Sequence, residues 1–225
     1  MEIVMIKAVI FDMDGVLIDS EQIWDDAEKT VFSSYGISIT EADQLLTRNM
    51  NMQEVSEFWS AKALTSFSLQ AAEQRVIEEV CLQIQKSPRA MQGALNLLDT
   101  LFKPGQLPIG LATNAPRPVC NTVLQCLNIE RYFDSVHTAD DVENTKPHPE
   151  IYLKSAEVLQ VDPQHCLVFE DSPTGVRAAH AAGMQVIYVN PIRAADYVIN
   201  TMTRTTFQSL MQFNIDDIES LSLCQ

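Results

Sequence analysis

The chain has 225 residues, 46% hydrophobic and 20% charged, with 30 acidic against 15 basic side chains and a formal net charge of −15. That length suits one main domain with an insertion, and the composition is ordinary for a soluble globular protein. So negative a field repels nucleic acid and anionic membranes, which excludes both as partners. Five cysteines (Cys81, Cys120, Cys126, Cys166 and Cys224) include no C-x-x-C pair and are odd in number, so reduced thiols are expected rather than a disulfide framework or a zinc site. The apolar N-terminus lacks a basic region and a cleavage site, and no apolar stretch reaches the length of a bilayer span. A cytoplasmic protein is expected.

Along the chain, Ile6 to Phe11 (IKAVIF) is a nearly continuous apolar run that stops at Asp12. Such runs predict strands buried on both faces of a parallel sheet. From Ser20 to Ser87 no strand is evident. Apolar residues fall there at helical intervals, as in Trp24, Ala27 and Val31, or Val55, Phe58 and Trp59, or Ala72, Val76 and Val80. Three or four helices are predicted, with Ser87-Pro88-Arg89 as the exit hinge. Further strands are predicted at Pro108 to Ala112, Ser135 to Thr138 (the weakest), Cys166 to Phe169 and Gln185 to Val189. Helices are predicted at Ala94 to Phe102, Val119 to Leu127 and Ile151 to Leu159. This alternation predicts a doubly wound α/β sheet. After Asp196 the pattern is too weak to place elements.

Four motifs carry chemistry. Asp12-Met13-Asp14-Gly15 places two carboxylates directly after a buried strand, where open α/β sheets bind ligands. One carboxylate can attack phosphorus to give an acyl phosphate. The other can protonate a leaving oxygen and then activate water. Both are natural ligands for Mg²⁺, although an isolated D-x-D-G could equally be a turn with solvated acids. Thr113 and Asn114 follow the second strand; they can hold phosphate oxygens or cap the next helix. Lys146, in Thr145-Lys146-Pro147-His148, can supply a point charge to a phosphoryl group, or be a plain loop lysine. Glu170 and Asp171 end another apolar strand, a costly placement unless a cation holds them.

Together the motifs converge on one crevice, and the chain resembles the haloacid dehalogenase superfamily through FDMDGVLIDSE (Phe11 to Glu21), LATNA (Leu111 to Ala115), TKPHPEIY (Thr145 to Tyr152) and FEDSPTGVRAA (Phe169 to Ala179). It is most similar to the branch of beta-phosphoglucomutases and small sugar-phosphate phosphatases. The resemblance implies an α/β modified Rossmann core with a parallel sheet, residues 1–19 and 88–225, and a helical cap inserted after the first strand, residues 20–87. It implies Asp12 as nucleophile and Asp14 as general acid/base. Mg²⁺ would be held by Asp12, the Asp14 carbonyl and Asp171, with Glu170 just behind them, and the phosphoryl group by Thr113, Asn114 and Lys146. The expected function is Mg²⁺-dependent hydrolysis of a small phosphorylated metabolite, a sugar or polyol phosphate, by a monomer.

Two departures bear on specificity. Many relatives carry a Gly-Arg pair in the cap loop, where this chain has Arg48-Asn49-Met50-Asn51. The mutases carry a cap-entry histidine where this chain has Trp24, which favours water as the final acceptor over a second sugar hydroxyl. A phosphosugar mutase is the enzymatic alternative, and a non-catalytic binding protein on the same scaffold the alternative of another class. Dehalogenases and phosphonate hydrolases lack an acid at the position of Asp14. Glu21, Trp24, Arg48, Asn49 and Asn51 are the cap residues expected to face the substrate. Trp24 could instead pack within the cap, and Arg48 could be solvated.

Overall fold

The computed structural model describes residues 5–47, 50–63, 66–103, 107–189 and 201–218. Six parallel strands form one sheet: β1 (Ala8–Phe11), β2 (Ile109–Ala112), β3 (Ser135–His137), β4 (Cys166–Glu170), β5 (Gln185–Val189) and β6 (Thr205–Phe207), in the order β3-β2-β1-β4-β5-β6. This is the doubly wound order, with β1 at the centre, where the direction of winding reverses.

The alternation of side chains along each strand explains why these runs are apolar throughout. Val9, Phe11, Leu111, Leu167 and Phe169 join one buried cluster, while Ala8, Ile10, Ala112, Cys166 and Val168 join the other. Both faces are therefore dry, and each strand needs apolar residues at every position. Phe11 and Phe169 stack across β1 and β4 with centroids 5.0 Å apart. Helices α5 (Ala94–Leu101) and α6 (Arg117–Leu127) add to the first cluster, and α7 (Glu150–Leu159) and α8 (Pro173–Ala181) to the second. The strand β6 falls in the stretch whose pattern was too weak to read. Its three residues are only partly covered, so no apolar run marks it.

Between β1 and α5 lie four helices, α1 (Glu21–Ser33), α2 (Glu41–Thr47), α3 (Met52–Ser60) and α4 (Leu69–Lys86). They match the predicted helical insertion. Asn51 and Glu54 form a reciprocal cap that starts α3, and Ser68 caps α4. Such caps satisfy amide groups that the first turn leaves without partners. The insertion is tethered by two paired segments. Asp19 N–H donates to Arg89 O at 2.9 Å, and Met91 N–H to Leu17 O at 2.9 Å. Helix α4 also packs on α6, so the buried side chains of the insertion run continuously into those of the sheet. Among the described residues, no helix is long and apolar enough to cross a membrane.

Candidate active site

The carboxyl ends of β1, β2 and β4 and the loop between β3 and α7 bring the four motifs together. Asp12 directly follows β1, and its N–H donates to Phe169 O at 3.0 Å, extending the parallel ladder by one residue. The chain then turns at Gly15, whose φ is +74°. A Cβ there would lie 1.9 Å from Asp171 Oδ2, so backbone conformation and close approach both require glycine. The turn thus seats the Asp171 carboxylate directly over the loop that carries Asp12 and Asp14.

Lys146 is buried at the centre. Its Nζ donates to Asp12 Oδ1 at 2.6 Å, to Glu170 Oε1 at 2.6 Å and to Ala112 O at 2.9 Å. These three acceptors match the three protons of an ammonium. Burial works against its charge, but Asp12 and Glu170 outweigh it and raise its pKa. Asn114 sets the lysine backbone, with Nδ2 donating to Lys146 O at 3.2 Å and Oδ1 accepting from Lys146 N at 3.0 Å. Both ends of the amide of Asn114, a residue expected to hold phosphate, are bonded to the Lys146 backbone. Thr113 is buried, and its Oγ1 accepts from Ala115 N at 3.0 Å.

Glu170 is fully buried and receives five hydrogen bonds. Lys146 and Tyr152 donate to Oε1, and Asp171 N, Ser172 N and Ser172 Oγ to Oε2. A Cβ at Gly175 would fall 1.7 Å from Oε1, so the first turn of α8 must be glycine to admit this carboxylate. With its lone pairs occupied, Glu170 orients its neighbours. Tyr152 was not foreseen as a site residue, although it lies within the TKPHPEIY motif.

Burial pushes the Asp12 carboxyl up to about 8, with Lys146 pulling the other way. Burial also raises the Asp14 pKa, opposed by hydrogen bonds from Ser20 and Trp24. Both donors reach Asp14 Oδ1, Trp24 through its indole N–H at 3.0 Å. Trp24 therefore bonds directly to Asp14.

Ligand oxygens of Asp12, Glu170 and Asp171 lie within 4.8 Å of one another. An all-oxygen set of this size fits a hard divalent cation such as Mg²⁺. Asp12 and Asp171 open into a cavity of about 200 Å³, which Lys146 also lines on that side and the helical insertion walls on the other. Glu21, Trp24 and Asn51 line it. Asn51 Nδ2 donates to Thr145 Oγ1 at 3.2 Å and so bridges the insertion to the Lys146 loop. Arg48 and Asn49, and likewise Cys224, lie outside the described residues. Sequence reasoning missed Asp25 and Glu28, buried acids on the cavity wall. Their signal was acids at helical spacing within the stripe of Trp24, Ala27 and Val31.

A family model for haloacid dehalogenase-like hydrolases matches residues 9–189. Hexitol phosphatase B of Escherichia coli is 33% identical over 216 residues, covering 92% of this chain and 97% of that protein. A phosphorylated carbohydrates phosphatase of Thermotoga maritima is 37% identical over 185 residues, covering 81% and 84%. Among solved structures, a beta-phosphoglucomutase from Clostridium difficile superposes with a TM-score of 0.82 at 26% identity, covering 97% of both chains. The chain belongs to the haloacid dehalogenase-like hydrolase family. The expected fold and the expected class, a phosphoric monoester hydrolase, agree with that membership.

Proposed function

We propose that this enzyme is a Mg²⁺-dependent phosphatase for small sugar or polyol phosphates, acting through an aspartyl phosphate on Asp12. The observation that carries the reading is the Asp12 carboxylate, held by Lys146 at 2.6 Å beside the Asp171 and Glu170 carboxylates. Asp12 and Asp171 would hold the metal. When bound, Mg²⁺ would neutralise Asp12 and the phosphoryl oxygens, favouring attack by an otherwise repelled carboxylate. The Asp12 oxygen forms a bond to phosphorus as the ester P–O bond breaks. Asp14, whose pKa burial raises, gives its proton to the departing oxygen. As a carboxylate it then takes a proton from water, which attacks phosphorus and releases phosphate from Asp12. Lys146 supplies positive charge to the transferring group throughout.

The names of the two phosphatase relatives support sugar or polyol esters as the substrate class. We assign residues 20–87 as a cap over a core of residues 1–19 and 88–225, in a cytoplasmic monomer. The mutase alternative draws on the likeness to beta-phosphoglucomutase. Against it, the Trp24 indole donates to Asp14 and has no lone pair to accept a proton. A panel of phosphorylated metabolites assayed with Mg²⁺ tests the reading. Hexose or hexitol phosphates should release phosphate, chelation should stop release and Mg²⁺ should restore it. Efficient conversion of β-glucose 1-phosphate to glucose 6-phosphate, with no phosphate release, would establish the mutase instead.

A further inference from the structure

One face of α1 looks into the cavity. Trp24 and Glu28 are four residues apart and Asp25 and Glu28 three, so they share a face, and all three line the cavity. Glu28 is 5% exposed. Its Oε2 accepts from Thr47 Oγ1 and from Trp59 Nε1, each at 3.0 Å. Among the described residues, no hydrogen bond reaches Oε1. Oε1 is not one of the buried polar atoms left without a partner, so it keeps access to the cavity that Glu28 lines, where a substrate hydroxyl can reach it. Bracing Thr47 and Trp59 accounts for Oε2 alone. Burial drives the Glu28 carboxyl up to about 7, against those two donors and with Asp25 adding to the rise. A group held under such strain beside a substrate cavity is a candidate for binding.

We infer that Glu28 is the residue that reads the leaving group, pairing its Oε1 with a hydroxyl of a neutral polyol or sugar. The inference rests on the phosphatase reading and narrows its substrate class. The Trp24 side chain reaches Asp14, where the ester oxygen departs. One helical turn, about 5.4 Å, separates Trp24 from Glu28, so the hydroxyl in question lies several carbons from the ester. A leaving group ending in a carboxylate or a second phosphate would bring negative charge against the acids Glu28 and Asp25, and that repulsion, fullest above about pH 7 where Glu28 is ionised, selects against it.

The test compares kcat/KM for a hexitol 6-phosphate, the corresponding sugar-acid phosphate (6-phosphogluconate) and an aryl phosphate, in the wild-type enzyme and in Glu28→Gln. Glutamine keeps the size and an oxygen for Thr47 and Trp59 while removing the charge. In the variant, the hexitol-to-aryl efficiency ratio should fall at least tenfold, mainly through KM, the scale of one lost hydrogen bond to a charged group. The wild-type preference for the hexitol phosphate over the sugar-acid phosphate should shrink with it. Equal losses on all three esters, or unchanged ratios, would make Glu28 a brace of the cap and overturn the inference while leaving the phosphatase reading intact. No hydrolysis of any ester by the wild-type enzyme would defeat that reading and the inference together. Should the variant fail to fold, deoxy analogues of the hexitol phosphate on the wild-type enzyme decide. Removing one distal hydroxyl should cost about tenfold, and no loss at any position would overturn the assignment.

Discussion

The two walls of the cavity are built on opposite principles. On the sheet side, Glu170 receives five hydrogen bonds and the three donors of Lys146 meet three acceptors. On the helical side, Glu28 leaves one oxygen unpaired, and Asn51 joins the two walls through a single contact to Thr145. Under the proposed function, the difference follows from what each wall would recognise. A phosphoryl group is the same in every substrate, so its site can be fixed in advance. The leaving group varies, so its site must keep unsatisfied groups for the substrate to complete.

If the sheet wall holds the chemistry, damage there should be severe and indifferent to the leaving group. Asp12→Asn should lower turnover by several decades on every ester with the melting temperature little changed. Turnover within a hundredfold of wild type on any ester would remove the nucleophile from Asp12. Asp171→Ala should raise the Mg²⁺ concentration for half-maximal rate by about tenfold or more, the scale of a lost metal ligand contact. A titration that superposes on wild type would mean that Asp171 does not bind the metal.

Trp24 sharpens the comparison, because it stands on the helical wall yet bonds to Asp14. Trp24→Phe keeps an aromatic face but loses the N–H. Its efficiency should drop about tenfold, as for one hydrogen bond to an ionisable group, and to a similar extent on sugar and aryl phosphates. A loss confined to sugar phosphates would show that the ring contacts the sugar.

The smallest expected effect is on stability. The folded-state pKa of Glu28 is raised by burial from 4.5 to about 7. Its favourable contribution is therefore complete below pH 4.5 and is lost as pH rises through about 7. Glu28→Gln should remove that loss. Relative to wild type, the variant should melt higher at pH 8 than at pH 5 by a few degrees, on the scale of ~2–4 °C per kcal/mol for a chain of this size. An identical offset at both pH values would mean that Glu28 does not titrate in this window.

Much of this was legible in the sequence. Strands buried on both faces show as unbroken apolar runs, and Asp12, Thr113, Glu170 and Asp171 each stand at or just beyond the end of one. Ligand sites of α/β sheets lie at those ends, so the acids of the sheet wall could be located from the sequence. Those of the helical wall could not. Glu28 and Asp25 look like ordinary acids beside an apolar stripe, and the partners of Glu28 come from α2 and α3, 19 and 31 residues away. The side chain of Asn114 likewise has a partner 32 residues away. Strand β6 lacks an apolar run because it is an edge strand that is only partly covered.

The central claim is that the phosphoryl group passes through Asp12. Acid-quenched turnover of a hexitol phosphate with Mg²⁺, followed by peptide mass spectrometry, tests it most directly, because an acyl phosphate survives acid long enough to be mapped. The account predicts the added mass of one phosphoryl group on the peptide that contains Asp12, absent in Asp12→Asn. Steady hydrolysis with the modification on another residue would contradict it.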